Sequence, residues 1–281
     1  MVIPGSITQN DKLDTLGTDV QRNMDGKALL LYDTEQSEVQ LYKNICGMLK
    51  RAKIGNMPDY FKAYSLTSMS RKERMQAIIQ SMDKFYYQFG GIQMVVIDGI
   101  ADLVRCANDE AESVGVIDEL YRLAGIYRTC IVCVLHFIPN GMKLRGHLGS
   151  ELQRKAAAIL SIERDEDPLI SVVKALKVRD GSPLDVPLIQ FSWDKAVGMH
   201  AYIGDKPKEE KDRRKETELT GVARAVFSKQ LFCTYADLSK QIQSNLDVSE
   251  RTAKSYIKFM REREIIIKDP SNVSYFIIGN L

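Results

Sequence analysis

Met94-Val-Val-Ile-Asp98 is a short apolar run closed by a carboxylate. Runs of this kind belong to strands of parallel sheets, which are buried on both faces. The acid at its end then stands at the carboxyl edge of the sheet, where open α/β folds bind their ligands. Outward from this run, short apolar segments at 28–32, 61–65, 130–135 and 158–162 alternate with amphipathic stretches. Such alternation predicts strands joined by helical crossovers. The stretch 71–89 carries Met75, Ile78, Ile79 and Met82 at helical spacing, and 110–127 carries Val116, Leu120, Leu123 and Ala124. These are the expected crossover helices. After residue 164 two longer strands, 169–177 and 186–193, flank the turn-forming Asp180-Gly-Ser-Pro183, which predicts an antiparallel extension of the sheet.

The chain has 281 residues, 44% of them apolar, enough for one large domain and one small one. Its 39 basic and 37 acidic residues leave a net charge of only +2, so any nucleic-acid surface has to come from local clustering. No segment approaches the ~20 apolar residues of a membrane span, and residues 1–9 lack the charged start and apolar run of a leader. The expected location is the cytoplasm, with no membrane partner. Cys46, Cys106, Cys130, Cys133 and Cys233 form an odd set scattered through apolar segments, which suits a reducing compartment. Cys130 and Cys133 make a C-x-x-C, but within a buried strand residues three apart face opposite sides, so core packing is expected of them.

Residues 204–216 are almost wholly charged and read as a linker between a core at 1–203 and a second domain at 217–281. In the second domain, helices are expected at 219–231, at 234–243 with Thr234 as cap, and at 249–263. Ile265-Ile-Ile267 and Tyr275-Phe-Ile-Ile278 then flank Asp269-Pro-Ser-Asn272 as a hairpin. Three helices and a hairpin predict a winged helix. Its third helix carries Arg251, Lys254, Lys258, Arg261 and Arg263 against Glu250 and Glu262, five basic residues less two acidic for a net of +3. Ser249, Arg251, Thr252, Lys254 and Lys258 are therefore the expected DNA contacts, near the end that a recognition helix points into the major groove. Winged helices also serve as protein-interaction modules, which is the alternative.

Three strand ends carry polar groups: Glu35 after Leu31-Tyr-Asp-Thr, Asp98, and His136 after Val134-Leu. In this order they resemble the RecA-like ATPases, particularly the branch of DnaB-type replicative helicases, plasmid replication helicases and KaiC-like proteins, over residues 3–194. The resemblance implies a mostly parallel sheet with helices on both faces, with ATP and Mg2+ as cofactors. It implies Glu35 as general base, Asp98 as the carboxylate that holds magnesium, and His136 as sensor of the γ-phosphate. Leu144-Arg-Gly-His-Leu-Gly-Ser150 resembles the family's channel-facing loop, which makes Arg145 and His147 candidate DNA contacts. Val172-Val-Lys-Ala-Leu-Lys177-Val-Arg179-Asp-Gly181 resembles its strand ending in Lys-x-Arg before an Asn/Asp-Gly turn. Lys177 and Arg179 would then reach the nucleotide of a neighbouring subunit, which implies a homo-oligomeric ring or filament.

The chain departs from that family at the phosphate loop, since no G-x-x-x-x-G-K-[ST] occurs in it. By the family's spacing, Val2-Ile-Pro-Gly5 stands for the first strand and first glycine, with Asn10, Asp11 and Lys12 where glycine, lysine and Ser/Thr belong. Gly5 and Lys12 are the remaining candidates for phosphate contact, while Asp11 repels a triphosphate. Leu13, Leu16, Val20 and Met24 fit one face of a following helix. The expected function is a RecA/DnaB-like ATPase, or a degenerate relative, acting in replication or mobilisation of a plasmid or similar element. A non-catalytic DNA-binding adaptor on the same fold is the second expectation, and a loop lying upstream of Met1 in a longer chain is a third possibility for the missing motif.

Overall fold

The structure is a computed structural model that describes every residue except 137–145, 181–182, 184–185, 207, 247 and 280–281, and the side chains of 208–211 and 214. The chain divides into two compact units, 1–205 and 206–281.

The first unit runs α1 (Val2–Ile7), β1 (Ala28–Asp33), α2 (Glu38–Ala52), β2 (Phe61–Ser65), α3 (Arg71–Phe89), β3 (Ile92–Asp98), α4 (Glu110–Tyr127), β4 (Cys130–Val134), α5 (Gly146–Lys155), β5 (Ala158–Arg164), β6 (Ile170–Val178), β7 (Ile189–Asp194) and β8 (Met199–Asp205). The first four strands form an all-parallel sheet of order β2-β1-β3-β4. Because successive strand residues face opposite sides, one face buries Leu30, Tyr32, Val95 and Ile97 against Ile78, Met82 and Phe85 of α3 and Ile117, Leu120 and Leu123 of α4. The other face buries Leu29, Leu31 and Val96 against Ile3 and Ile7 of α1 and Leu41 of α2. The crossovers begin on side-chain caps. Ser37 accepts from the Gln40 amide, Asp109 from the Glu112 amide, and Ser70 forms a capping box with Glu73. The α/β class, the four strands of the parallel sheet and the crossover helices α3 and α4 stand as the sequence predicts, whereas α2, on the other face, is not among the expected helices.

Three expectations change. Residues 158–162 do not lie in the parallel sheet, and the later strands do not extend it. Instead β5-β6-β7-β8 form a separate antiparallel sheet, and among the described residues β5 pairs only with β6. Residues 165–169 are too few for the crossover that a parallel pair needs, so β6 folds straight back on β5. Residues 2–5 form the start of α1 rather than a strand. Pro4 sits in the first helical turn, where its missing amide costs nothing, and Ile3 and Ile7, four apart, dock together on the sheet. Residues 8–27 make turns rather than a helix: Asn10 accepts from the Lys12 amide at 3.0 Å and Asp14 from the Leu16 amide at 2.8 Å. These local bonds compete with a helix, Leu16 takes a φ of +54°, and Met24 is 84% exposed.

The second unit runs α6 (Lys208–Phe227), β9 (Cys233–Thr234), α7 (Tyr235–Leu246), α8 (Glu250–Glu262), β10 (Ile266–Lys268) and β11 (Tyr275–Ile278), with an antiparallel sheet of order β10-β11-β9. Leu219, Ala223, Leu238, Ile242, Ala253, Ile257, Met260, Ile266 and Phe276 make its core. The charged segment expected as a linker belongs to β8 and α6. It packs through its charged groups: the Lys215 ammonium lies 4.2 Å from the Phe259 ring centre, and its Asp212 and Glu216 pair with Arg263 at the end of α8 at 3.4 Å and 3.6 Å. Thr234 caps α7 as expected, accepting from the Asp237 amide at 3.2 Å, and also ends the two-residue strand β9, which was not anticipated. No described helix is long and apolar enough to cross a membrane.

Candidate functional site

The carboxyl ends of β1 and β3 lie in register, with Asp33 and Asp98 as direct partners. Asp33 is 2% exposed, and its carboxylate accepts the amides of Glu35 at 3.0 Å and Gln36 at 2.8 Å. This turn ends β1 and carries Glu35 over the end of β3. Thr34 fastens the two strands, its amide donating to the Asp98 carbonyl at 3.0 Å and its hydroxyl to the carbonyls of Asp98 at 3.0 Å and Gly99 at 2.8 Å. The approach is so close that a Cβ on Gly99, whose φ is +91°, would lie 2.3 Å from the Thr34 hydroxyl and 2.6 Å from Glu35 Cγ. Glycine is required there by both conformation and space.

Glu35 Oε2 lies 3.3 Å from His136 Nε2, with the glutamate side chain 35% and the histidine 77% exposed. Burial pushes the Asp98 carboxyl above the ordinary carboxylate range, the charges of Asp33 and Glu35 push it further, and His136 opposes them. Three acids and one imidazole thus share one rim, where a cation or a proton is favoured electrostatically. Glu35, Asp98 and His136 are brought together from three separate segments. No family model matches the chain, and no curated protein matches it.

Asp33 and Thr34 were missed, although the signal was present. The strand-end rule that singles out Asp98 applies equally to Asp33, and Leu31-Tyr-Asp-Thr-Glu35 contains two acids of which only the second was chosen.

Other expected residues stand apart from this rim. Lys177 donates to the carbonyls of Gln153 at 2.5 Å and Arg154 at 3.3 Å, and Arg179 to that of Lys155 at 3.0 Å. Both therefore close the C-terminal end of α5, where cations suit the helix dipole. His147 is exposed in the first turn of α5, and Arg145 lies outside the described residues. Gly5 is inside α1 against Val20, and Lys12 is exposed in a turn. Cys133 is half-buried, but Cys130 is exposed rather than core, on what is the outer strand of its sheet among the described residues.

The residues fit the two implied cofactors unequally. Asp98, with Glu35 nearby, offers the hard oxygen donors that magnesium takes through its water shell. No group of three or more His, Cys, Asp or Glu side chains is arranged to hold a metal directly among the described residues. For a triphosphate the fit fails, since a six-residue helix and Asx turns occupy the segment where a phosphate cradle was expected.

In the second unit, Arg251, Lys254, Ser255 and Lys258 share the exposed face of α8 at helical spacing. Lys254 pairs with Glu250 at 2.7 Å and Lys258 approaches Glu262 at 3.8 Å, whereas Arg251 has no ion pair among the described residues. Ser249 and Thr252 act on the helix itself, Ser249 accepting from the Thr252 amide at 3.3 Å as N-cap and the two hydroxyls lying 2.9 Å apart.

Proposed function

We propose that the chain is a RecA/DnaB-like ATPase core or a degenerate relative, joined to a winged-helix DNA-binding domain and acting in replication or mobilisation of a plasmid or similar element. The observation that carries this reading is the meeting of Glu35, Asp98 and His136 on adjacent strand ends. In this reading His136 would orient the Glu35 carboxylate, Glu35 would be the group that accepts a proton from water, and Asp98 would hold the water shell of a magnesium ion, which would supply charge neutralisation there. The winged-helix reading is supported by the element order of the second unit, helix, strand, two helices and a hairpin whose second strand pairs with β9. Its DNA face is the Arg251, Lys254 and Lys258 side of α8. A cytoplasmic location and a homo-oligomer go with this reading. For Lys177 and Arg179 to act on a neighbour's nucleotide, they would have to leave the carbonyls of α5.

A second reading is favoured by the first 27 residues. With Gly5 inside α1 and Lys12 in a turn, the described residues do not complete a nucleotide site, which suits a non-catalytic DNA-binding adaptor that keeps the fold as a platform. ATP turnover and DNA binding, measured on the intact chain and on Glu35→Gln, separate the two. Turnover that disappears in Glu35→Gln supports the ATPase. DNA binding without turnover supports the adaptor, and a chain that does neither sinks both.

A further inference from the structure

β9 and β11 pair so that Cys233 opposes Phe276 and Thr234 opposes Tyr275. Side chains alternate across a strand, so Cys233 and Phe276 enter the core of the second unit, whereas Tyr275 stands on the outer face together with Phe232, two residues before Thr234. The Phe232 and Tyr275 rings meet edge to face, 4.9 Å between centres, and Phe232 is 53% exposed. Tyr235 follows in the first turn of α7, 40% exposed, with its ring 6.3 Å from that of Phe276. It also reaches the cations of α8: Glu250 chiefly, and Tyr235 in addition, raise the Lys254 ammonium above the ordinary lysine range. Arg251 and Lys258 lie beside Lys254 on the same helix face. Asp237, the acid of this turn, accepts from the Thr234 hydroxyl at 2.7 Å, at the end of α7 that favours a negative charge.

Aromatic rings are large apolar groups that a core would bury, so three of them at one surface call for a partner. The cations select a polyanion, and the rings select one with flat faces to offer. Unpaired nucleotides meet both demands, whereas a duplex keeps its base faces inside the stack. We propose that Phe232, Tyr235 and Tyr275 form a stacking platform for unpaired nucleotides, so that the second unit takes a duplex ending in a single-stranded tail in preference to a blunt one. The phosphates of the duplex lie along α8, and the bases of the tail lie against the rings. This preference presupposes the DNA-binding role of α8 and adds to it the strand state of the DNA.

Fluorescence anisotropy on the full chain tests it, with a labelled blunt duplex and the same duplex carrying a thymidine tail on its 5′ or its 3′ end. Each stacked base contributes roughly fivefold or more in affinity, so at least one tailed duplex should bind tighter than the blunt one by that factor. Phe232→Ala with Tyr235→Ala should abolish this advantage and leave blunt-duplex binding unchanged, and the exchanged pair Phe232→Tyr with Tyr235→Phe should keep it. Arg251→Ala with Lys254→Ala should weaken blunt and tailed duplexes together. A chain that binds both kinds equally overturns the platform but leaves the DNA face of α8 standing. An advantage that survives the two alanines overturns it too, as does an alanine pair that weakens blunt and tailed duplexes alike, since the rings then serve the fold. A chain that binds none of these DNAs overturns the DNA role of α8 along with the platform, and leaves the rings to a protein partner.

Discussion

Replacing Gly99 by alanine tests how tightly the ends of β1 and β3 are fastened. At φ +91° an alanine carries left-handed strain of about 1–2 kcal/mol. Its methyl would also lie 2.3 Å from the hydroxyl of Thr34, a residue 3% exposed whose hydroxyl is bonded to the carbonyls of Asp98 and Gly99. Displacing that hydroxyl leaves buried groups unpaired at a further cost of about 1–3 kcal/mol. The total of about 2–5 kcal/mol corresponds, in a unit of this size, to a fall of roughly 7–14 °C in midpoint at the middle of that range. Gly90 is the control, because it also has a positive φ, +68°, but nothing lies within 4 Å of its added Cβ. Gly90→Ala should cost only the strain. The chain has a single tryptophan, Trp193, in the first unit, so urea unfolding followed by its fluorescence reports on that unit alone. Equal losses in Gly99→Ala and Gly90→Ala would refute the close approach of Thr34 and Glu35 to Gly99.

Asp98→Asn should stabilise the fold at neutral pH. Folding raises the Asp98 pKa, so its contribution to stability is fullest below the unfolded value of 3.8 and is lost as pH rises through the folded one. Unfolding free energies of the two proteins should converge below pH 3.8 and separate above it, and a less stable Asp98→Asn at pH 7 would contradict the crowding of acids at the rim. Burial pushes the Cys133 thiol up to about 12, so iodoacetamide at pH 8 should label the exposed Cys46 and Cys106 well before Cys133, read by mass spectrometry. Labelling of Cys133 at the same rate would mean that its side of β4 is open. Arg251→Ala with Lys254→Ala should weaken DNA binding and reduce the slope of log affinity against log salt by up to about 1.8, or about 0.9 for each phosphate contact. An unchanged slope would move the DNA face away from α8.

The parallel half of the fold was legible because its strands are continuous apolar runs and its helices have caps and a clear period. Met94-Val-Val-Ile-Asp98 is β3 from its third residue to its end, and Ser70 and Asp109 start α3 and α4. What sequence missed depends on partners. The order of β5 to β8 follows from which edge a strand meets, and the alternation of polar and apolar residues in β8 gave a weaker signal than a buried run. The charged start of α6 has no apolar face to read, because its Lys215 packs over Phe259 and its Asp212 and Glu216 pair with Arg263. At the rim, Glu35 and Asp98 announced themselves as acids at strand ends. The roles of Thr34 and Gly99 could not be read in the same way, since they depend on a backbone separation that only the register of β1 with β3 fixes. Family spacing misled at the N-terminus, where Asn10 and Asp14 turn the chain locally and Pro4 favours a helical first turn.

The account rests on three segments meeting at one rim, and the side chains of Glu35 and His136 test that meeting most directly. With only three histidines in the chain, the His136 ring can be assigned in a selectively labelled sample. A nuclear Overhauser contact between that ring and the Glu35 side chain, together with one between the Thr34 methyl and the Gly99 α-protons, is the predicted result. A Thr34 to Gly99 contact with no contact from Glu35 to His136 would leave β1 and β3 paired as described, but would contradict the rim.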